Sequence, residues 1–192
     1  MTTADPIAQY VRAADRAQQQ GIDTAPIALA TADALGRPSV RIVLLRHVDS
    51  RGFVFYTNYG SRKARDLAEN PNAALCQHWP ALDEQFRMEG TTEKLSAEES
   101  DAYFGGRPRE SQLGAWASEQ SAPLSSRDEL ERRYKDVESR FEGQDVSRPP
   151  FWGGFRLVPD RIEFWYSRPG RLHERILYVR EGGSWSAVML YP

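Results

Sequence analysis

The chain has 192 residues, of which 40% are hydrophobic and 27% are charged, and its formal net charge is -2. These values are typical of a globular protein with one sizeable core, so we expect a single domain over residues 1–192. The small net charge excludes a general attraction to nucleic acid or to anionic membrane surfaces.

The sequence contains one cysteine, Cys76, which excludes an internal disulfide and which we expect to fill space in the core. No Cys/His grouping has the spacing of a zinc site, so we predict no metal. No apolar stretch approaches the ~20 residues of a membrane span, and MTTADPIAQY lacks the apolar segment of a signal peptide. We therefore expect a cytoplasmic protein.

Residues 1–22 are predicted to carry a packing helix, because Asp5 can cap it, Pro6 suits its first position and Gly21 can end it. Residues 23–192 favour many short strands with few helices between them, which is typical of a mainly β protein with flanking helices and an antiparallel barrel. The predicted strands are 27–31, 38–47, 53–56, 73–79, 85–95, 153–158, 161–166, 172–180 and 184–190. The other predicted helices are 61–70, 96–104, two pieces within 103–121, and 125–141.

Residues 41–63 carry an unusual concentration of positive charge beside a predicted helix start. A helix N-terminus already bears partial positive charge and free N–H groups, so Arg62 and Lys63 in the first turn cost stability unless an anion binds there. Together with the hydroxyl of Ser61 they suit a phosphate group. The alternative is that both cations point into water.

A second polar segment, residues 103–121, bends at Gly105, Gly106 and Pro108. Tyr103, Arg107 and Ser111 recur at intervals of four residues and can converge around the bend. Two hydroxyls and a guanidinium form a suitable receptor for a second phosphate, whereas the alternative is a solvated helix-turn-helix.

The segment RLHER places Arg171, His173 and Arg175 on one face of a predicted strand. Such a face either stays in water or meets an anionic, planar ligand. Trp165 on the neighbouring strand could then stack against an aromatic ring of that ligand.

Taken together, RIVLLR, FYTNYGSRKA, YFGGRPRESQLGAWASEQS, FWGGFR and RLHER closely resemble the pyridoxamine (pyridoxine) 5'-phosphate oxidases, which are FMN-dependent enzymes of vitamin B6 metabolism. The resemblance extends from about Asp23 to Pro192 and includes several motifs in the same order, which makes it specific. It implies a split β-barrel and a homodimer that holds two FMN molecules at its interface.

The resemblance also implies roles for individual residues. It assigns contacts with FMN, some of them made from the partner subunit, to Arg41, Ile42, Val43, Leu44, Leu45, Tyr56, Thr57, Arg62, Lys63, Gln85, Gln120, Ser121, Trp165 and Arg175. It assigns contacts with the phosphate of the substrate to Arg46, Tyr103, Arg107 and Ser111. It assigns contacts with the pyridine ring of the substrate to Arg171 and His173, which are our candidate catalytic residues. Arg46 stands where the family usually has lysine, so a planar guanidinium replaces the compact charge of an ammonium group.

The implied reaction oxidises pyridoxamine or pyridoxine 5'-phosphate at C4' to give pyridoxal 5'-phosphate. A formal hydride passes to flavin N5, and O2 reoxidises the flavin to yield H2O2. His173 could relay a proton or simply hold the substrate by a hydrogen bond. Two alternatives stay open: a related flavin oxidase of the phenazine-biosynthesis type, and a non-catalytic protein that binds flavin or pyridoxal phosphate.

Overall fold

The computed structural model describes residues 5–192, and this range contains eight β-strands and five α-helices. The strands are β1 (Pro26–Ala32), β2 (Pro38–Asp49), β3 (Gly52–Asn58), β4 (Asn72–Trp79), β5 (Glu84–Lys94), β6 (Trp152–Tyr166), β7 (Glu174–Glu181) and β8 (Ser184–Leu190). The helices are α1 (Pro6–Gln19), α2 (Arg62–Glu69), α3 (Ala97–Gly105), α4 (Arg109–Ala117) and α5 (Arg127–Arg140). No helix within residues 5–192 is long and apolar enough to cross a membrane.

All neighbouring strands are antiparallel, in the order β3-β2-β1-β4-β5-β6-β7-β8. β3 also pairs with β6, so that six strands close into a barrel while β7 and β8 extend the sheet beyond it. Closure removes the free edges that an open six-stranded sheet would expose. The predicted mainly β split barrel with flanking helices is confirmed.

Alternate residues of the strands fill the barrel, as the period of two requires. The side chains of Ile27, Leu75, Phe86 and Phe164 are almost completely buried there. Helix α1 packs against this core through Tyr10, whose ring meets the rings of neighbouring aromatic residues edge to face. Burying each such side chain contributes about 1.5–3 kcal/mol, so this core is the main source of stability of the barrel.

A second apolar cluster joins the helical layer α3–α5 to the start of β6. It consists of Phe104, Leu113, Phe141, Val146 and Trp152, with Tyr56 and Tyr103 packed against it. Because α3 ends and α4 begins above this cluster, the chain between them, which carries Arg107, is fixed relative to β3 and β6.

The predicted break between strands 153–158 and 161–166, a turn at Pro159–Asp160, is wrong, because β6 runs without interruption through both residues. The register against β5 shifts there: Glu89 is opposite Arg161 and Gly90 is opposite Pro159, which leaves Asp160 as the extra residue of a bulge. A bulge tolerates proline, which cannot donate to the ladder. A Cβ on Gly90 would lie only 2.1 Å from the carbonyl oxygen of Val158, so only glycine fits opposite it.

Two further predictions on the C-terminal strands and the core need correction. Arg171 does not share a strand face with Arg175, because residues 169–171 form a 3-10 turn, Arg171 has φ 61° and β7 begins only at Glu174. Cys76 does not fill the core: it is half-buried on the outer face of β4, opposite to the face of Leu75.

Candidate functional site

A cleft of about 250 Å³ opens where β2, β3, α2 and the helical layer meet. Its lining residues are Ile42, Val43, Leu44, Arg46, Tyr56, Thr57, Lys63, Tyr103, Arg107, Gln120 and Trp152. Apart from Trp152, all of them are residues that the sequence nominated for FMN or substrate. Segments far apart in the chain therefore converge on one concave surface, as small-molecule sites require.

One end of the cleft, the Lys63 corner, consists of Thr57, Ser61, Lys63 and Gln120. The Lys63 amine donates to Thr57 Oγ1 at 3.0 Å, to Ser61 Oγ at 3.2 Å and to Gln120 Oε1 at 2.8 Å. Ser61 also caps α2, because its hydroxyl accepts from the backbone N–H of Ala64. Burial, reinforced by the nearby charge of Arg41, lowers the pKa of Lys63 to about 8. The corner therefore holds a desolvated cation beside a helix N-terminus.

Arg41 and Arg62 flank this corner without lining the cleft. Arg41 lies behind it, donating to the carbonyl oxygen of Leu29 and to Thr31 Oγ1, and its guanidinium is 3.8 Å from the carboxylate of Asp66. Arg62 is exposed in the first turn of α2. Their proposed contacts with FMN remain predictions, but the charge of Arg41 acts on the Lys63 amine, and the charge of Arg62 acts on Arg41.

The other end of the cleft, the Arg107 stack, consists of Tyr56, Tyr103, Arg107 and Trp152. The ring of Tyr56 lies 3.8 Å from the ring of Tyr103 and 5.4 Å from the ring of Trp152, at interplanar angles of 9° and 10°. The guanidinium carbon of Arg107 lies 4.6 Å from the centre of the Trp152 ring. Burial lowers the pKa of Arg107 and raises that of Tyr56 to about 12, so the phenol stays protonated at neutral pH.

The Nη1 atom of Arg107 is buried and has no hydrogen-bond partner within residues 5–192. A buried guanidinium N–H without an acceptor is costly, and such groups normally mark the place of a ligand or an ordered water. Ser111 lies in an adjoining cleft of about 180 Å³ that Arg107 and Trp152 also line. The structure thus brings Tyr103, Arg107 and Ser111 to one region, as the spacing predicted.

Arg46 reaches the cleft by a route that the sequence did not indicate. Strand β2 shifts register against β3 between Leu45 and His47, so Arg46 is the extra residue of a β-bulge. A bulge redirects a side chain, and here Arg46 lies close enough to Arg107 to lower its pKa further. Leu45 instead points inward and packs against the barrel core.

Several nominated residues lie outside the cleft in this protomer. Gln85, Trp165 and Arg175 are paired across β5, β6 and β7 on the outer face of the sheet. The ring of His173 lies 4.6 Å from that of Trp165. We call Gln85, Trp165, His173 and Arg175 the outer group. Its members lie on the same outer face as Ile42 and Leu44, which border the cleft.

Two more nominated residues occupy exposed turns. Ser121 follows Gln120 in the loop after α4, with φ 72°, and lines a neighbouring cleft. Arg171 is exposed in the 3-10 turn before His173. One protomer therefore brings some of the nominated residues together in the cleft and leaves the others in the outer group, in exposed turns or beside the cleft.

Trp152 is the residue that sequence reasoning missed, although it stands in the segment FWGGFR. The feature of the sequence that indicates a special position for Trp152 is the pair of glycines that follows it, Gly153 and Gly154. A Cβ on Gly153 would lie 2.0 Å from the hydroxyl oxygen of Tyr59, and one on Gly154 would lie 2.4 Å from Leu95. The glycines let the start of β6 lie close against its neighbours, which brings Trp152 under the cleft.

Comparison with known families identifies two matching regions. The family described as pyridoxamine 5'-phosphate oxidase matches residues 14–141, and the one described as pyridoxine 5'-phosphate oxidase C-terminal dimerisation region matches residues 152–192. A protein of Anaeromyxobacter dehalogenans named pyridoxine/pyridoxamine 5'-phosphate oxidase is 58% identical over 98% of this chain and 96% of its own length. A protein of the same name from Rubrobacter xylanophilus is 57% identical over 98% of this chain and 87% of its own.

Solved structures show the same fold. PhzG from Burkholderia lata, determined in complex with tetrahydrophenazine-1-carboxylic acid, superposes with a TM-score of 0.93 at 32% identity, covering 97% of this chain and 92% of its own. A pyridoxamine 5'-phosphate oxidase-related, FMN binding protein from Nostoc punctiforme superposes with a TM-score of 0.78 at 22% identity, over the full length of both chains.

Proposed function

The chain belongs to the pyridoxamine 5'-phosphate oxidase family, and from this premise we propose that it oxidises pyridoxine or pyridoxamine 5'-phosphate to pyridoxal 5'-phosphate, with FMN as its cofactor. The observation that carries the proposal is that one cleft has two separate cationic ends, the Lys63 corner and the Arg107 stack. A flavin nucleotide and a phosphorylated substrate each bring one phosphate, so two anion receptors are what this reaction needs.

The Lys63 corner suits the phosphate of FMN. The amine of Lys63 is desolvated, and its lowered pKa means that its charge is disfavoured until an anion compensates it. The N-terminus of α2 and the exposed guanidinium of Arg62 add attraction for a phosphate at this point. Thr57 and Gln120, now bonded to each other and to Lys63, supply polar groups that can turn to the ligand.

Ile42 and Leu44 form an apolar wall on which a flavin ring can lie, because both are partly exposed and line the same cleft. When bound, FMN would supply the two-electron acceptor for the oxidation at C4', and O2 would be the final oxidant. With pyridoxamine 5'-phosphate the imine formed at C4' would then take up water and release ammonia to give the aldehyde. The protein residues then have the task of holding the phosphorylated substrate against that ring and excluding water.

The Arg107 stack suits the phosphate of the substrate. Arg107 offers a buried N–H that has no acceptor among the described residues, and Tyr103 and Arg46 offer a hydroxyl and a second positive charge nearby. These groups favour a phosphorylated substrate over an uncharged aromatic one. A phosphate carries up to two negative charges and can use these donors more fully than the single carboxylate of the tetrahydrophenazine-1-carboxylic acid bound by PhzG.

His173 is best suited to donate a hydrogen bond. Its Nδ1 atom accepts from the backbone N–H of Arg168 at 3.2 Å, so the neutral ring carries its proton on Nε2. A donor at Nε2 can hold an oxygen or nitrogen of the substrate but cannot take a proton from it. We accordingly assign His173 and Arg171 to the orientation of the pyridine ring.

The outer group can complete the cleft only from a second protomer. The chain carries the dimerisation region of the family, and the outer face exposes the large apolar side chains of Val40, Ile42 and Val188. Large apolar side chains that are exposed on one face of a sheet are typical of an interface between subunits. We propose a homodimer in which this face is buried and the outer group of each protomer borders the cleft of the other.

The dimer proposal is tested by Val40→Asp, which places a charge on the outer face without altering the lining of the cleft. Size-exclusion chromatography with light scattering should show a monomer that has lost FMN. The matched control is Leu35→Asp, which changes an equally exposed leucine in the turn between β1 and β2. A dimeric Val40→Asp protein would exclude this face as the interface.

The activity is tested with the purified protein and pyridoxine 5'-phosphate. We expect a yellow protein whose visible absorbance bleaches when substrate is added without oxygen and returns in air. A colourless dimer that refuses added FMN would overturn the proposal. A yellow protein that never bleaches would support the alternative of a non-catalytic binding protein.

A further inference from the structure

Trp152 is the lining residue of the cleft to which neither the sequence motifs nor the family comparison gives a role. It is the first residue of β6, where it pairs with Asn58 of β3, and only 7% of its surface is exposed. Its ring lies under both the main cleft and the adjoining cleft that contains Ser111. It therefore forms a common floor for the residues proposed to hold the phosphate of the substrate.

The environment of Trp152 is a layered stack rather than ordinary core packing. Its ring is nearly parallel to those of Tyr56 and Tyr103, at 10° and 6°, and the ring of Phe104 meets it edge to face at 5.2 Å. Parallel rings on one side and an edge contact on another leave the indole little freedom to rotate. The orientation of its π-face is thus fixed by the protein.

Arg107 lies over that fixed face, with its guanidinium carbon 4.6 Å from the ring centre. A planar cation over an aromatic ring gains electrostatic attraction and keeps its N–H groups free at its edge. The buried Nη1 is such a group, since it has no acceptor within the described part of the chain. The indole thus supports the cation without using the donors that a phosphate would need.

We propose that Trp152 is a positioning residue that fixes the guanidinium of Arg107 for the phosphate of the substrate. This inference rests on the proposed role of Arg107 in substrate binding. It assigns Trp152 an effect on affinity for the phosphorylated ligand, made through Arg107, in addition to its contribution to packing.

A graded series at position 152 tests the effect on affinity. We expect KM for pyridoxine 5'-phosphate to rise roughly tenfold in Trp152→Leu and two- to threefold in Trp152→Phe, which keeps a smaller π-face, while kcat changes less than KM. The Kd of the protein for pyridoxal 5'-phosphate, measured by its absorbance shift, should rise in the same order. An unchanged KM in Trp152→Leu would overturn the inference.

A double-mutant cycle with Arg107→Ala separates positioning from packing. If Trp152 acts through Arg107, Trp152→Leu lowers kcat/KM roughly tenfold in the wild-type background but less than about twofold once Arg107 is alanine. Equal losses in both backgrounds would mean that Trp152 acts only through packing or through Tyr56. If Trp152→Leu does not fold, the same cycle with Trp152→Phe gives a smaller coupling with the same two outcomes.

Trp116 offers a matched control, because it packs against the same helical cluster and has the guanidinium of Arg140 4.7 Å from its ring. It does not line the cleft. Trp116→Leu should lower the melting temperature while leaving KM within about twofold of wild type. An equal rise of KM in Trp116→Leu and Trp152→Leu would show a general loosening of the cluster and reject the inference. An unchanged KM in Arg107→Ala would instead reject the proposed phosphate site itself.

Discussion

Lys63 and Arg107 lie in the same cleft, but their surroundings differ in chemistry. The amine of Lys63 is surrounded by the neutral oxygens of Thr57, Ser61 and Gln120, which accept its hydrogen bonds without carrying a negative charge. Arg107 lies against an aromatic ring, which attracts its charge while leaving Nη1 without an acceptor among residues 5–192. The Lys63 amine is hydrogen-bonded but desolvated, whereas the Arg107 guanidinium lies on an aromatic ring and keeps one N–H group without an acceptor in the described part of the chain.

This difference predicts distinct behaviour towards anions. A lysine that is desolvated can lose its proton near pH 8, so the Lys63 corner should depend on pH. A guanidinium stays charged over the whole physiological range even when burial lowers its pKa, so the Arg107 stack should not. The cofactor end of the cleft is therefore expected to be tunable by pH, whereas the substrate end holds a permanent charge.

The largest effect is expected for Arg107→Ala. Removing this half-buried cation should raise KM for pyridoxine 5'-phosphate on the order of 100-fold, because the phosphate then loses its proposed main charged partner. Steady-state kinetics give KM, and fluorescence titration should show the Kd for FMN within about twofold of wild type. Arg140→Ala, which removes a guanidinium over Trp116 away from the cleft, should leave KM unchanged. If Arg107→Ala had the same KM as wild type, the Arg107 stack would not be the part of the cleft that binds the phosphate of the substrate.

Lys63→Met should weaken the binding of FMN by roughly 30-fold, since the methionine keeps the length of the side chain but removes the charged donor. The KM for substrate, measured with FMN at saturation, should stay within about twofold of wild type. Fluorescence titration of the apoprotein with FMN measures the first quantity. If Lys63→Met changed KM and left the Kd for FMN unaltered, the proposal that the Lys63 corner binds FMN rather than substrate would be contradicted.

The pH dependence of FMN binding should follow Lys63. Its pKa in the free protein is lowered from 10.5 to about 8, so the amine is increasingly neutral above pH 8, and the phosphate of FMN favours the protonated form. Binding above pH 8 must therefore take up a proton, and the Kd should rise about tenfold between pH 7 and pH 9. Titrations in two buffers of different ionisation enthalpy detect the proton uptake. Lys63→Arg, which stays charged, should show neither the uptake nor the rise.

The part of the Lys63 corner formed by Ser61 and Lys63 could be predicted from sequence because its signals are local, whereas Gln120 reaches the corner from a distant segment of the chain. A serine before a basic pair at a helix start indicates both the cap and the anion site, and the structure has Ser61 as the N-cap of α2. The place of Trp152 could not be predicted, since its partners Tyr56 and Arg107 come from other segments of the chain. The bulge at Pro159 could not be predicted either. Local sequence favours a turn at this position, but pairing of Pro159 with Gly90 of β5 keeps it within β6.

Arg46 should have the smallest effect of the residues proposed to hold the phosphate. The bulge in β2 directs it to the cleft, but its side chain is exposed, so water screens its charge more than that of Arg107. We expect Arg46→Ala to raise KM about threefold and Arg46→Lys to stay within about twofold of wild type, because a point charge at this position retains most of the attraction. Both values come from the steady-state assay used for Arg107→Ala. If Arg46→Ala raised KM as much as Arg107→Ala does, the main contact with the phosphate would be made by Arg46 at the bulge. The packing of Arg107 on an aromatic ring would then not explain the affinity for substrate.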